Sequence, residues 1–247
     1  MPDAHSFDAT TYAAEVWRLV EAQHRVSTLK LVDSLDERAL LESMIEGTKP
    51  SLPPECAGLD YLLAAPFRYA SIYPHGSRFR RAGRTEGVYY ASEQVETAVS
   101  EMAVYRLLFY AESPQTPFPD AAADYSAFSV RAATRFCYDM ASPDFDDHAF
   151  RNPVDYSRTQ ALADSARESG VAIIRYRSVR DHEQRANVAL LTATVFLDRK
   201  PRQWRTWRLR LGSGGVSALC DFPASGLSFG RRAFADDPRL ADFRWER

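Results

Sequence analysis

The sequence contains only three cysteines, Cys56, Cys137 and Cys220, which lie far apart in its 247 residues. An odd and sparse set argues against a disulfide framework, and no cysteine or histidine spacing is typical of a zinc site. No apolar run approaches the ~20 residues that a membrane helix needs. The N-terminus has neither the basic nor the apolar region of a signal peptide. We therefore expect a cytoplasmic protein with no metal and no membrane contact.

The sequence also has few lysines and a net charge close to zero. Lysine supplies only three of the 31 basic residues, and the formal net charge is −2. Such a balanced chain has no global field that would attract nucleic acid, so direct nucleic-acid binding is not expected. The composition is otherwise that of an ordinary globular protein, with 45% hydrophobic and 26% charged residues. A chain of this length can bury a sizeable core.

Several catalytic signatures are missing. The sequence has no G-x-G-x-x-G after a strand, no P-loop, no H-E-x-x-H and no G-x-S-x-G. These absences argue against a Rossmann dinucleotide site, a P-loop phosphate site, a zinc protease and an α/β-hydrolase. The one glycine cluster, at residues 212–215, follows a strand pattern, and a hairpin turn is the favoured interpretation.

The first part of the chain has two helical patterns. Apolar residues at helical spacing predict a helix over Thr11–His24. The S-x-x-E capping box of Ser34 and Glu37 predicts the start of a second amphipathic helix, and Gly47 suits the position just after its end. A proline-rich break follows at residues 49–54. We therefore predict a helical extension over residues 1–58 and the main domain over residues 59–247.

Beyond the break, strand patterns outnumber helices and do not alternate with them. This predicts an α+β fold, with a mixed β core and flanking helices, rather than a doubly wound sheet. Ser92 is expected to cap one helix, and Asp155 another. The predicted helices are 93–110 and 155–168, and the predicted strands are 87–91, 126–130, 171–176, 188–197 and an alternating segment around 207–211.

Glu101 is the most informative residue. It falls on the predicted helix after Ser92, among apolar neighbours. A carboxylate on an apolar helix face is costly unless it has a partner or a role. Its position is consistent with a structural salt bridge to a nearby arginine or with a functional site.

The segment around Glu101 resembles the RES domain, the toxin half of RES–Xre toxin–antitoxin systems. The family pattern runs G-G-R-W, then V-Y-A-S at a strand end, then A-x-x-E on the next helix. Here Arg78 in G-S-R-F takes the arginine position, Tyr90 in Y-Y-A-S the tyrosine position, and Glu101 follows eleven residues later. Phe79 stands where the family has tryptophan.

Two further elements extend the resemblance to about residues 60–200. Arg68 and Tyr69 match an earlier Arg-Tyr of the family, and Ser178 matches its closing serine. The spacing after Arg78 is slightly long, so Arg80 or Arg81 is an alternative to Arg78. In the same way, Tyr89 is an alternative to Tyr90.

The resemblance implies an ADP-ribosyltransferase-like fold and an enzyme that cleaves the nicotinamide–ribose bond of NAD⁺, as a glycohydrolase or phosphorylase. Transfer of ADP-ribose to a protein is the first alternative, and an inactive binding module is the second. The implied partners are NAD⁺ and an Xre-type antitoxin, with a homodimer as a further option. NAD⁺ is the substrate, and no other cofactor is implied.

The residue types suit this chemistry. Arginine forks bind pyrophosphate, a tyrosine ring attracts the positive nicotinamide, and a carboxylate stabilises an oxocarbenium-like transition state. The resemblance therefore implies Arg78, Tyr90 and Glu101 as catalytic residues. It implies a set of NAD⁺-binding residues, namely Arg68, Tyr69, Arg78, Tyr90 and Ser178.

Overall fold

The computed structural model describes residues 7–22, 31–69, 76–83, 86–146 and 148–246. Eight strands form one sheet, and four α-helices lie against or beside it. The strands are β1 (Thr10–Glu21), β2 (Tyr89–Ser92), β3 (Ala123–Asp139), β4 (Ile173–Arg177), β5 (Ala186–Leu190), β6 (Trp204–Gly212), β7 (Gly215–Cys220) and β8 (Ser225–Gly230). The helices are α1 (Leu35–Thr48), α2 (Tyr61–Arg68), α3 (Val95–Glu112) and α4 (Ser157–Glu168). The α+β prediction is confirmed.

The sheet has the order β1-β2-β5-β4-β3-β6-β7-β8, and β1 also pairs with β3. The first five strands of this order therefore pair around a closed ring, and β6 to β8 continue from β3 as an antiparallel extension. β3 pairs in parallel with β4, while the other strand pairs are antiparallel. This topology brings the ends of β2 and β4 and the start of β5 beside the first turns of α3.

The predicted helix over Thr11–His24 was wrong where the chain is described. Thr10–Glu21 is strand β1, paired with β3 from Thr10↔Cys137 to Glu21↔Tyr125, and His24 lies outside the described residues. Val16 and Trp17 are both buried, in hydrophobic clusters on different faces of the sheet. A strand covered on both faces loses its alternation, so its apolar spacing imitates a helix.

The second N-terminal helix is confirmed as α1. The Ser34 side chain accepts a hydrogen bond from the Glu37 N–H at 3.1 Å, and the Glu37 carboxylate accepts one from the Asp33 N–H at 2.9 Å. Gly47 lies inside the last turn rather than after it, because the helix continues to Thr48 and Lys49 caps it. No residue of α1 is buried, and Leu35, 72% exposed, has its apolar side chain in solvent.

Several other helices and strands begin or end a few residues away from their predicted boundaries. Ser92 is the last residue of β2, and Gln94 precedes the first turn of α3. Tyr156 rather than Asp155 is the cap of α4, although the Asp155 carboxylate accepts a hydrogen bond from the Ser157 N–H at 2.9 Å. The predicted strand 188–197 is shorter, because β5 ends at Leu190. The alternation on β6 and the hairpin turn at residues 212–215 are confirmed.

All three cysteines are buried, unpaired thiols. Within the part of the chain that the structure describes, no helix is both long and apolar enough to cross a bilayer.

Candidate active site

Glu101 lies on α3, where the ends of β4 and β5 meet that helix. Its Oε1 atom accepts two hydrogen bonds of 2.7 Å, from the Ser178 hydroxyl and from the Asn187 side-chain amide. The amide of Asn187 is oriented in turn, because its oxygen accepts a 2.6 Å hydrogen bond from the Ser92 hydroxyl. Glu101 and Ser178, both singled out from the sequence, are in direct contact although 77 positions separate them in the chain.

The second carboxylate oxygen of Glu101 pairs with Arg180. Arg180 Nη1 lies 3.0 Å from Oε2, and the two side chains are 9% and 22% exposed, respectively. The guanidinium also lies over the Tyr105 ring, 4.5 Å from its centroid, and Nη2 donates to the Tyr156 hydroxyl at 3.1 Å. Burial alone would lower the pKa of Arg180, but its interactions with Glu101, Tyr105 and Tyr156 together outweigh burial and hold that pKa well above its usual value.

Hydrogen bonds of Ser178 and Asp181 hold the loop that follows β4. The Ser178 oxygen accepts hydrogen bonds from the backbone N–H groups of Arg180 and Asp181 at 3.1 and 2.9 Å. The buried Asp181 carboxylate accepts two from Arg185, at 2.6 and 2.9 Å, and one of 2.8 Å from the Thr97 hydroxyl. These contacts hold the backbone that presents Ser178 and Arg180 to Glu101.

Replacing Asp181 with asparagine should destabilise the protein at neutral pH by about 1–2 kcal/mol, the usual cost of losing hydrogen bonds to a charged group. Burial opposes the charge of Asp181, but the bonds from Arg185 and Thr97 lower its pKa overall. Its stabilisation is therefore present above the unfolded-state pKa and is lost as the pH falls through the folded-state pKa. Urea unfolding should show a difference between wild type and variant at pH 7 that shrinks below about pH 4.

The matched control for this experiment is Glu183→Gln. Glu183 lies in the same loop, but its side chain is 69% exposed. The control should leave stability nearly unchanged. A constant difference between wild type and Asp181→Asn across the acid range would contradict the assignment.

Tyr90 positions the loop that carries Arg78. Its hydroxyl is 2.8 Å from the Ser77 hydroxyl and accepts a 2.9 Å hydrogen bond from the Phe79 N–H. Burial raises the pKa of Tyr90 to about 12, so this hydroxyl keeps its proton at neutral pH. The Tyr90 carbonyl accepts a hydrogen bond from Arg18 on β1 at 3.0 Å.

Arg78 holds the chain segment 148–156, which we call the strap. Its two Nη atoms donate to the carbonyl oxygens of Phe150 and Asn152 at 2.7 and 3.1 Å. Its guanidinium lies 5.1 Å from the centroid of the Tyr156 ring. Since the Tyr156 hydroxyl also accepts from Arg180, two arginines hold the strap, and Tyr156 links Arg78 to the pair formed by Arg180 and Glu101.

Tyr176 lies close to both Glu101 and Arg78. Burial raises its pKa well above the usual value, and the nearby charge of Glu101 adds to that rise. Between Tyr176 and Arg78 lies a cleft of about 10 Å³, whose walls include Phe79, Met140 and Phe150. This volume has room for roughly one water molecule.

Two predicted NAD⁺-binding residues have other hydrogen-bond partners in the structure. Arg68 donates to Glu46 at 2.6 Å and to the Pro50 carbonyl at 2.5 Å, which ties α2 to the end of α1. Tyr69 is 42% exposed, and its carbonyl accepts a hydrogen bond from Arg80. None of these contacts joins Arg68 or Tyr69 to Glu101.

The alternative residues have other surroundings. Arg81 pairs with Asp164 at 2.6 Å, whereas Arg78 is next to Tyr156. Tyr89 is fully buried against Phe196 and lies under the Arg18 guanidinium. It points to the opposite face of β2 from Tyr90, because neighbouring strand residues alternate. The structure thus groups Arg78 and Tyr90 with Glu101 and Ser178.

Sequence reasoning missed Arg180 as a partner of Glu101, and it did not propose Asn187, Tyr156 or Tyr176 as site residues. The sequence offered one signal for two of them. Arg180 and Asn187 lie close to Ser178 in the chain, near the two ends of the segment that joins two predicted strands. Among the described residues, no three His, Cys, Asp or Glu side chains group as they would around a metal ion.

The fold and the cluster define an α+β protein with a hydrogen-bonded carboxylate at the junction of a helix and two strand ends. The RES domain model matches residues 52–212, well over half of the chain, and the protein belongs to this family. No curated protein matches the chain. A similar solved structure is that of the M. tuberculosis MbcT-MbcA toxin-antitoxin complex, at 12% identity and a TM-score of 0.44, covering 79% of this chain and 85% of that chain.

Proposed function

We propose that this protein cleaves NAD⁺ at the nicotinamide–ribose bond, as a glycohydrolase or phosphorylase, and that it is the toxin of a toxin–antitoxin pair. The observation that carries the proposal is the Glu101 carboxylate, held by Ser178, Asn187 and Arg180 beside a group of tyrosines. Membership of the RES family and the motif positions of Arg78, Tyr90 and Glu101 support it. NAD⁺ is the substrate, with no other cofactor proposed.

The acceptor capacity of Glu101 suits contact with a ribose. A carboxylate has about four lone-pair positions. The described structure gives Glu101 three donors, so one acceptor position is left, on the oxygen that faces Arg180. A ribose hydroxyl is a donor of the right kind. The negative charge would stabilise the oxocarbenium-like transition state that forms as nicotinamide leaves.

The proposed roles of Arg78 and Tyr90 follow from their contacts. The guanidinium of Arg78 donates hydrogen bonds to two backbone carbonyls of the strap. A pyrophosphate would bind this guanidinium more strongly, because the guanidinium and the pyrophosphate carry opposite charges. Tyr90 fixes the loop that carries Arg78 through its hydroxyl, while its ring is half-buried on the Arg78 side of β2. We propose that this ring contacts the nicotinamide.

The proposed reaction requires the strap to move. Pockets that take ligands of this class enclose roughly 300–1,000 Å³. The cleft beside Arg78 has about 10 Å³, and Phe150 and Arg151 of the strap line it. Glu101 does not line this cleft. We therefore propose that NAD⁺ replaces the contacts of Arg78 with the strap and displaces residues 148–156 when it binds.

The proposed partner is an Xre-type antitoxin, and the proposed location is the cytoplasm, where NAD⁺ is available. A homodimer remains part of the proposal. Transfer of ADP-ribose to a protein would use the same bond cleavage with another acceptor, so it is an outcome of the test below rather than a separate mechanism at Glu101.

The test is incubation of the purified protein with NAD⁺, with and without inorganic phosphate, followed by chromatography of nicotinamide and the ribose product. We expect catalytic release of nicotinamide. The product identifies the acceptor as water or phosphate, and label from radiolabelled NAD⁺ on a protein would identify transfer instead. An absence of nicotinamide release and of labelled protein in every condition, including with cell extract as acceptor, would reject the proposal.

A further inference from the structure

Two arginines beside the candidate site have buried guanidinium atoms without a partner. Nε of Arg80, and Nε and Nη2 of Arg167, are covered from solvent and make no hydrogen bond in the described structure. Arg80 lies in the loop that Tyr90 positions, and Arg167 lies in the last turn of α4. Buried donors that lack an acceptor are rare in folded proteins, because each one has lost its hydration.

Arg167 reaches the loop that carries Arg80. Arg167 Nη1 lies 3.5 Å from the carbonyl oxygen of Phe79, the residue before Arg80. Burial lowers the pKa of Arg80, and the positive charge of Arg167 lowers it further, as expected for two adjacent cations. Both side chains are only half-buried as a whole, so a rotation of either long stem brings its fork to the surface.

Nearby carboxylates do not neutralise this pair. Glu86 and Asp164 influence Arg167 electrostatically, but no carboxylate of the described residues forms an ion pair with Arg80 or Arg167. Asp164 is already bonded to Arg81 at 2.6 Å. Arg80 has one acceptor, the backbone carbonyl of Tyr69, which carries no charge. The loop and α4 therefore bring two positive charges together without a matching anion.

We propose that Arg80 and Arg167 form a binding site for a phosphate-type oxyanion. Such an anion presents several charged acceptors at once, and guanidinium forks are the side chains best suited to it. The site uses neither Glu101 nor Ser178, so it stands whether or not the protein cleaves NAD⁺. The oxyanion comes either from free phosphate or from the diphosphate of a dinucleotide.

The first experiment is titration calorimetry of the full-length protein with inorganic phosphate at constant ionic strength. Wild type should bind phosphate saturably, and Arg167→Met should bind it at least about tenfold more weakly, because one charged fork is lost. The matched control is Arg158→Met, an exposed arginine on the same helix, which should bind like wild type. Arg80→Met is the second variant, used if Arg167→Met does not fold.

The melting temperature distinguishes a binding role of Arg167 from a purely structural one, because the two roles predict changes of opposite sign. If Arg167 only supported the fold, its replacement would lower the melting temperature. We expect Arg167→Met to melt at or above the wild-type temperature without phosphate, because the orphaned buried donors are gone, and to lose the phosphate-dependent rise. Equal phosphate binding by wild type and Arg167→Met, or no saturable binding by wild type, would overturn the proposal.

A second titration with ADP-ribose separates the two sources of the oxyanion. If Arg167→Met weakens the binding of both phosphate and ADP-ribose, the site accepts the diphosphate of a dinucleotide. If only phosphate binding is weakened, the site is one for free phosphate. ADP-ribose is not consumed, so these measurements remain valid if nicotinamide release is never observed.

Discussion

Glu101→Gln is expected to lower the rate of NAD⁺ cleavage by at least about 100-fold, in line with the usual loss when one preorganised electrostatic group is removed. The substitution keeps an oxygen that accepts from Ser178 and Asn187, so the local geometry has a reason to persist. It removes the negative charge that would stabilise the oxocarbenium-like transition state. NAD⁺ binding should change little, because the proposed interaction strengthens only as the bond breaks.

The measurement is single-turnover nicotinamide release together with NAD⁺ affinity by calorimetry. Glu112→Gln is the matched control, since Glu112 is an exposed carboxylate at the other end of α3. Arg78→Ala should show the complementary behaviour, with weakened binding. Equal rates for Glu101→Gln and wild type would remove Glu101 from the mechanism while leaving the family assignment intact.

Arg180→Met is expected to destabilise the protein by about 2 kcal/mol, somewhat less than the roughly 3–5 kcal/mol typical of breaking a fully buried ion pair. The reason is the carboxylate left behind: Glu101 keeps its hydrogen bonds to Ser178 and Asn187 but loses the one cation that pairs with it among the described residues. The 22% exposure of the Glu101 side chain allows partial hydration and keeps the cost below that of a fully buried pair. Urea unfolding at pH 7 measures the change.

A double-mutant cycle makes the expectation specific. In a Glu101→Gln background, Arg180→Met should cost much less, because no unpaired carboxylate remains. Arg158→Met, on the exposed side of α4, is the control for loss of an arginine in general. Strictly additive effects of the two substitutions would show that the 3.0 Å contact between Arg180 and Glu101 contributes no coupling energy in solution.

The local part of the site was accessible from the sequence. The strand signal before Ser92 and the helix after it place Tyr90 and Glu101 eleven residues apart, and the structure has both elements. Ser178 was identified through the resemblance to the RES domain, at the end of another strand pattern. Their meeting depends on a sheet order, β2-β5-β4, that differs from the sequence order and was not predicted.

The remaining partners are long-range, and nothing local encodes them. Arg180 reaches Glu101 across 79 positions, and Asn187 reaches it across 86. Arg68, whose motif position suited a ligand, donates to Glu46 and to the Pro50 carbonyl in the structure, and its predicted role in binding NAD⁺ stays a prediction. The N-terminal strand was missed for the same reason, since its main partner β3 lies more than 100 residues away and two separate hydrophobic clusters bury its faces.

The closed strap lowers the apparent affinity of every ligand that binds only after the strap has opened. A ligand that binds only molecules with residues 148–156 displaced has an apparent dissociation constant equal to its intrinsic value divided by the open fraction. With one molecule in a hundred open, affinity is weakened about 100-fold. If the proposed opening of the strap holds, the contacts of Arg78 with Phe150 and Asn152, and of Arg180 with Tyr156, set the open fraction. A protein that bound the closed strap would then inhibit the site without touching Glu101, and one that displaced the strap would raise the affinity for the ligand.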